Sequence, residues 1–222
     1  MLDLVKAQRM SLTMQVEVSL KSALIVGALK PGARLITKEI ADQLGTSITP
    51  VREALLRLVS AGALHATPAQ AFLVPEVCRE RYLEINTIRK QVEGMAVEVA
   101  CTNLDADKMK KLQQLAASYQ EALTGSNIEQ TLQANRTFRF CLYDYAEMPT
   151  LTAIIEQLWV RIGPCFNYLY PSSESLMRSH GAYDGLLSSL EKGQCAESKQ
   201  AIIDAIEVGE TILLRQYDND MR

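Results

Sequence analysis

Ser47, Thr49 and Arg52 stand within six residues of one another, in a stretch that reads GTSITPVREALLRLVSA from Gly45 to Ala61. Two hydroxyls and a permanently charged guanidinium at the start of a helix are suited to phosphate oxygens and base edges. The elements that must position them follow from the pattern. Ser47 and Thr49 are good N-cap residues, and Pro50 suits a first helical turn, where its missing N–H costs nothing. Ala54, Leu55, Leu58 and Val59 then recur at helical spacing, which makes one buried face and leaves the hydroxyls and Arg52 off it. A shorter pattern, Thr37–Leu44, precedes this helix and ends at Gly45. Helix, glycine turn, helix is the outline of a helix-turn-helix, whose second helix enters the DNA major groove.

The chain around this unit reads as mainly helical. Leu12–Leu29 is an amphipathic helix with Val16, Leu20, Ala23 and Leu24 as its stripe, and Lys30 to Leu35 is a Pro-Gly turn. Ala63–Thr67 and Ala71–Val74 read as two short strands around Pro68-Ala69-Gln70, a small wing, and Pro75 closes the unit. These features predict a winged helix-turn-helix domain, three helices and a wing, over residues 1–75. Residues 79–222 form a second domain. Six helical patterns fill it: Glu80–Cys101, Asp105–Leu123, Ile128–Ala146, Thr150–Tyr170, Leu176–Leu190 and Cys195–Tyr217. Short connections between them predict an antiparallel bundle, with Pro164 bending the fourth helix.

Charge is distributed accordingly. Residues 1–75 carry 8 Lys+Arg against 5 Asp+Glu, and the remainder carries 15 against 21. A mildly basic front on an acidic rear fits a nucleic-acid-binding head on a body that does not bind nucleic acid. The five cysteines are scattered and include no C-x-x-C pair. That argues for a reducing compartment and against a disulfide framework or zinc ribbon. No run of 18 apolar residues suggests a membrane span, and the first residues lack a signal-peptide pattern, so a cytoplasmic protein is expected. No nucleophile elbow, zinc-protease or P-loop motif occurs, which disfavours an enzyme.

The head resembles the winged helix-turn-helix of GntR-type bacterial transcription regulators. The resemblance rests on Gly27 to Leu35 (GALKPGARL), Lys38-Glu39-Ile40-Ala41, Leu44-Gly45, Ser47 to Leu55 and Arg57-Leu58. The all-helical rear, with Arg89-x-x-x-Glu93, is similar to the FCD ligand-sensing domain of the FadR branch. The resemblance implies a homodimer on a palindromic operator of double-stranded DNA, one recognition helix per half-site. It also implies a small-molecule effector in the rear domain that adjusts DNA affinity. The DNA contacts it implies fall on Lys38, Ser47, Ile48, Thr49 and Arg52, with Gln70 in the wing. Two positions depart from the family pattern. Ile48 replaces the usual arginine, and the wing glycine appears as Ala69 or Ala71. Ile48 either packs on a thymine methyl or packs beneath its own helix.

FCD domains often hold a divalent metal on an Asp or Asn, a His four residues later and two further His. Those positions here are Asn135, Arg139, His180 and Ala205, a poor donor set, because a guanidinium cannot coordinate a cation. No metal and no other cofactor is therefore expected. Ile128, Leu132, Asn135, Phe138, Arg139 and Leu142 lie along one helical stripe, which places Asn135 and Arg139 on or beside the core side. His180 does the same between Leu176 and Tyr183. Buried arginine is rare unless paired. Arg139 either holds the carboxylate or phosphate of an effector, with Asn135 and His180 as neutral partners, or forms an internal salt bridge with a carboxylate such as Glu93. Arg89 and Arg161 are further candidates for the same cavity. Trp159, Phe166, Tyr168 and Tyr170 read as core or dimer packing. Coupling between the domains is expected to pass through the segment Pro75–Tyr82. The alternatives to a ligand-responsive regulator are a small-molecule-binding protein or an interaction scaffold with a vestigial DNA-binding head.

Overall fold

The computed structural model describes residues 10–68, 71–125, 127–169 and 183–220. The front unit opens with α1 (Leu12–Ile25), β1 (Arg34–Leu35) and α2 (Thr37–Leu44). It continues with α3 (Ile48–Ser60), β2 (His65–Ala66) and β3 (Phe72–Leu73). Ser11 caps α1 by accepting from the Met14 amide at 3.2 Å. Helix α1 stops four residues short of the expected end, because Gly27 turns left-handed (φ +67°). Helix α2 has the expected bounds. It closes on Gly45 in the left-handed region (φ +63°), and the Thr46 amide reaches back to the Ala41 carbonyl at 3.0 Å.

The wing is three-stranded rather than two-stranded. The order is β1-β3-β2, all antiparallel, with Arg34 opposite Leu73 and His65 also opposite Leu73. The Pro-Gly turn delivers β1 onto the free edge of β3, and the Val74 amide bonds the Ala33 carbonyl at 2.9 Å. Across the wing tip, the Thr67 hydroxyl donates to the Ala71 carbonyl at 2.9 Å and accepts from the Ala71 amide at 3.2 Å.

The rear bundle comprises α4 (Arg79–Thr102), α5 (Ala106–Thr124), α6 (Ile128–Asp144), α7 (Pro149–Ile162), α8 (Tyr183–Glu191) and α9 (Cys195–Asp220). The starts of α5 and α6 are capped by Asp105 and Asn127, which accept from the Lys108 and Gln130 amides. Helix α4 packs along α9, tied by Lys90–Glu207 at 3.3 Å and Lys199–Glu98 at 2.7 Å. Two expectations are corrected. Pro164 does not bend a continuous helix. Instead α7 ends at Ile162, and Gly163–Leu169 continues as a 3-10 turn. The cysteines are not all free, because Cys101 at the end of α4 is bonded to Cys195 at the start of α9, 94 residues away. One apolar core runs through head and bundle, from Leu24 and Leu55 to Tyr82, Phe138 and Trp159.

Candidate nucleic-acid interface and effector cavity

Helix α3 buries Pro50, Val51, Ala54, Leu55 and Leu58 against its neighbours. Its opposite side and tip are open. Ser47, Ile48, Thr49 and Arg52 are exposed there, and Lys38 on α2 is exposed as well. Ser47 occupies the N-cap position without a side-chain capping bond, which leaves its hydroxyl available. Ile48 is 50 % exposed, so it does not pack beneath its own helix. Gln70, the sixth expected DNA contact, lies outside the described residues.

The rear core holds a charged cluster organised on Glu93, which is fully buried. One carboxylate oxygen accepts from Arg89 Nε at 2.6 Å and Trp159 Nε1 at 2.9 Å. The other accepts from the Tyr143 hydroxyl and from an Arg139 guanidinium nitrogen at 3.3 Å. Arg139 Nε donates to the Tyr183 hydroxyl at 2.8 Å, and that hydroxyl donates to Asn135 Oδ1. Arg89 donates to Asn86 Oδ1 at 2.9 Å and lies over the Trp159 ring, 5.0 Å from its centroid. Burial pushes the Tyr82 phenol up to about 12 and raises the Tyr143 and Tyr183 phenols. For Arg139 burial acts to lower the pKa, but Tyr183, Tyr143 and Glu93 together outweigh it and hold the guanidinium charged.

Arg139 therefore makes the internal ion pair with Glu93 that the sequence left as one of two readings. Arg89, Asn135 and Arg139 nonetheless line one small cavity with Tyr82, Trp159 and Phe166, about 30 Å³ in volume. Ala205 lines it too, so three of the four positions compared above with the family's metal ligands line one cavity. They do not fit a metal. A guanidinium fills the space, Ala205 has no donor, and Glu93 already accepts four bonds. Among the described residues no group of three or more His, Cys, Asp or Glu could hold a metal ion. His180 lies outside the described residues. A wider surface groove of about 700 Å³ between α6 and α7 shares no lining residue with this cavity.

Arg161 is not in the cavity, which corrects the sequence reading. It points the other way, donating from Nε to the Ala61 carbonyl at 2.9 Å, where α3 ends. Beside it Asn167 Nδ2 donates to the Gly27 carbonyl, at the end of α1. Gly163 permits the approach, since a Cβ there would stand 2.6 Å from Ile25 Cα. Head and bundle thus meet directly through α7 and its 3-10 turn, in addition to the Pro75–Tyr82 segment. Trp159 and Phe166, on the same elements, line the cavity. Sequence reasoning missed Tyr143, Tyr183 and Asn167, because tertiary packing selects them. The signal that was present is the spacing of Asn86, Arg89 and Glu93, which places all three on one side of α4.

A winged helix-turn-helix with its second helix offered to solvent, seated on a helical bundle with a charged cavity, defines a DNA-binding regulator. Comparison with known proteins agrees. Residues 12–74 match the gntR family of bacterial regulatory proteins, and residues 84–208 match the FCD domain. The chain belongs to the GntR family of bacterial transcription regulators, with an FCD domain behind the winged helix. It is 46 % identical to the HTH-type transcriptional regulator McbR of Escherichia coli K12 over 215 residues, which cover 96 % of this chain and 97 % of that protein. The solved structure of E. coli McbR/YncC matches with a TM-score of 0.89 over 94 % of this chain and all of that one. A GntR regulator from Rhodococcus sp. RHA1 matches with a TM-score of 0.71 at 20 % identity, covering 91 % of this chain and 97 % of that one, a likeness of fold alone. The relatives are transcription regulators, not enzymes. Among the described residues no helix is long and apolar enough to cross a membrane.

Proposed function

We propose that this regulator binds a palindromic operator as a homodimer, one α3 per half-site. Residues 1–75 act as the DNA-binding head and residues 79–222 as the sensing and dimerising body, working in the cytoplasm. Lys38, Ser47, Ile48, Thr49 and Arg52 make the contacts, with Gln70 in the wing. The observation that carries this is the division of α3: one side is sealed in the core, while its tip exposes two hydroxyls, an isoleucine and a guanidinium with no structural task. Footprinting of the full-length protein across its own upstream region tests it. Protection of two symmetric half-sites is expected, and failure to retard any such DNA at low salt would reject the reading.

We further propose that a small anion in the rear cavity adjusts DNA affinity. Two buried guanidiniums share one carboxylate partner, Glu93, among the described residues, so the cluster carries an excess positive charge. A cavity of about 30 Å³ holds roughly two waters, the size of a carboxylate head group. A larger effector requires Phe166 and the 3-10 turn to move, and that turn holds the end of α1 through Asn167 and Gly27. Isothermal titration of the protein with acetate, and with inorganic phosphate, reports occupancy. Heat that disappears in Arg139→Met supports this site, and identical heat in that variant excludes it.

A further inference from the structure

We infer that Ile48 is a specificity-determining residue of the DNA-binding tip, and that it reads the C5-methyl group of a thymine. This rests on the reading that the start of α3 enters the major groove. Ile48 is the first residue of α3 and is 50 % exposed. The apolar face of that helix is already filled by Val51, Ala54, Leu55 and Leu58, each at most 1 % exposed. The core therefore has no use for this side chain, and at a tip meant for water or phosphate a polar residue would serve better.

Position adds to exposure. Ile48 and Arg52 are four residues apart, so they lie on one side of the helix, separated by roughly 6 Å along its axis. That is close to the rise of about two base-pair steps at ~3.4 Å each. A guanine or phosphate contact by Arg52 thus brings Ile48 to a base pair one or two steps away. Gly45, in the turn before it, also has open space around it, with nothing within 4 Å of where a Cβ would stand. Ser47 and Thr49, exposed on either side, supply the hydroxyls for the phosphates.

The chemistry selects the base. Isoleucine has no donor or acceptor, so it cannot distinguish guanine, adenine or cytosine by hydrogen bonding. The thymine methyl is the one apolar group displayed on a major-groove base edge. A β-branched side chain is also stiff at χ1, so its methyls are presented in a fixed position with little ordering on contact. Loss of one buried methyl from such a contact corresponds to about a fourfold loss of affinity per half-site.

The test uses the full-length protein and two steps. A preferred site is first selected from a randomised duplex library. That site is then remade with deoxyuridine in place of thymidine, one position at a time. Deoxyuridine keeps every hydrogen-bonding group and lacks only the methyl. One position per half-site is expected to lose about fourfold in affinity. Ile48→Ala should bind thymine and uracil there equally, with the salt dependence of binding unchanged, and Ile48→Val should keep the thymine preference. Equal binding of every uracil-substituted site by the wild type, or a uracil penalty that persists in Ile48→Ala, overturns the assignment while leaving α3 in the groove. A protein that selects no site and shows no salt-dependent DNA binding overturns both the assignment and the reading beneath it.

Discussion

Arg161 of α7 donates from Nε to the main-chain carbonyl of Ala61, 2.9 Å away, at the residue that ends the recognition helix. One bond thus joins the rear bundle to the helix proposed to carry the DNA contacts, across 100 residues of chain. It is flanked by Asn167 on the Gly27 carbonyl and by Gly163 against α1. On the surface the same junction carries Lys21–Glu156 at 3.6 Å, a partly exposed pair that contributes little by itself.

Arg161→Gln removes a hydrogen bond from a charged donor to a partly buried carbonyl. The expected cost is about 1–3 kcal/mol, read as a lowered urea midpoint. Amide exchange should quicken at the end of α3. Gly163→Ala should cost at least as much, because the new Cβ would meet backbone atoms of Leu24 and Ile25 that cannot rotate away. A Gly163→Ala protein with wild-type stability would show that head and bundle are not held this closely.

Glu93 is the member of the buried cluster whose loss should matter most. Glu93→Gln leaves two buried guanidiniums without a counter-charge, and removing one partner from a buried ionic group costs roughly 3–5 kcal/mol. Arg139→Met keeps the Arg89–Glu93 pair neutral and fills similar volume, so it should cost clearly less. Denaturant titration of the two variants gives the order. Equal losses would mean that the cluster is not centred on its carboxylate.

Alkaline pH probes the same core. The phenols of Tyr82, Tyr143 and Tyr183 are raised by burial, Tyr82 to about 12. Tyr145 is also pushed up to about 12, by burial first and then by Cys141. A group whose folded pKa exceeds its unfolded value stabilises the fold fully below the unfolded value, roughly 10 for tyrosine. It loses that contribution as the pH rises through the folded value. Stability should therefore be flat up to about pH 9 and fall between about pH 10 and 12. Ultraviolet titration of the native protein should show Tyr82, Tyr143, Tyr145 and Tyr183 ionising late or only on unfolding. Simple ionisation of all eight tyrosines near pH 10 in folded protein would contradict the burial.

Much of this architecture was legible in the sequence, and the misses share a cause. Helix α2 was bounded correctly, because Gly45 marks its end with a local conformation that few other residues adopt. The stripe on α6 placed Asn135 and Arg139 in the core, because helical period alone determines a face. Strand β1 escaped notice, since two residues carry no periodicity and pair only once β3 is in place. Arg161 was assigned to the wrong neighbour for a related reason. Helical phase puts it beside the core but does not say whether the cavity or the head lies opposite. The partners of Arg139 were ambiguous because Glu93 lies 46 residues away on another helix.

The bond between Cys101 and Cys195 is the clearest case of structure without a local signal, since no spacing rule joins two cysteines 94 residues apart. It ties the end of α4 to the start of α9, the pair of helices that packs most extensively in the bundle. Cys78, Cys141 and Cys165 are outside this disulfide and keep their thiols. Protein purified without reductant and denatured should therefore titrate three thiols, and five after dithiothreitol. Closing so long a loop restricts the unfolded chain, so reduction should lower stability by about 2–4 kcal/mol, seen as a fall in Tm. The doubly substituted Cys101→Ser, Cys195→Ser protein should melt like the reduced wild type and be indifferent to dithiothreitol. Five thiols in the untreated protein, with a Tm that reductant does not change, would show that the two cysteines stay reduced and that α4 and α9 are held by packing and the Lys90 and Lys199 ion pairs alone.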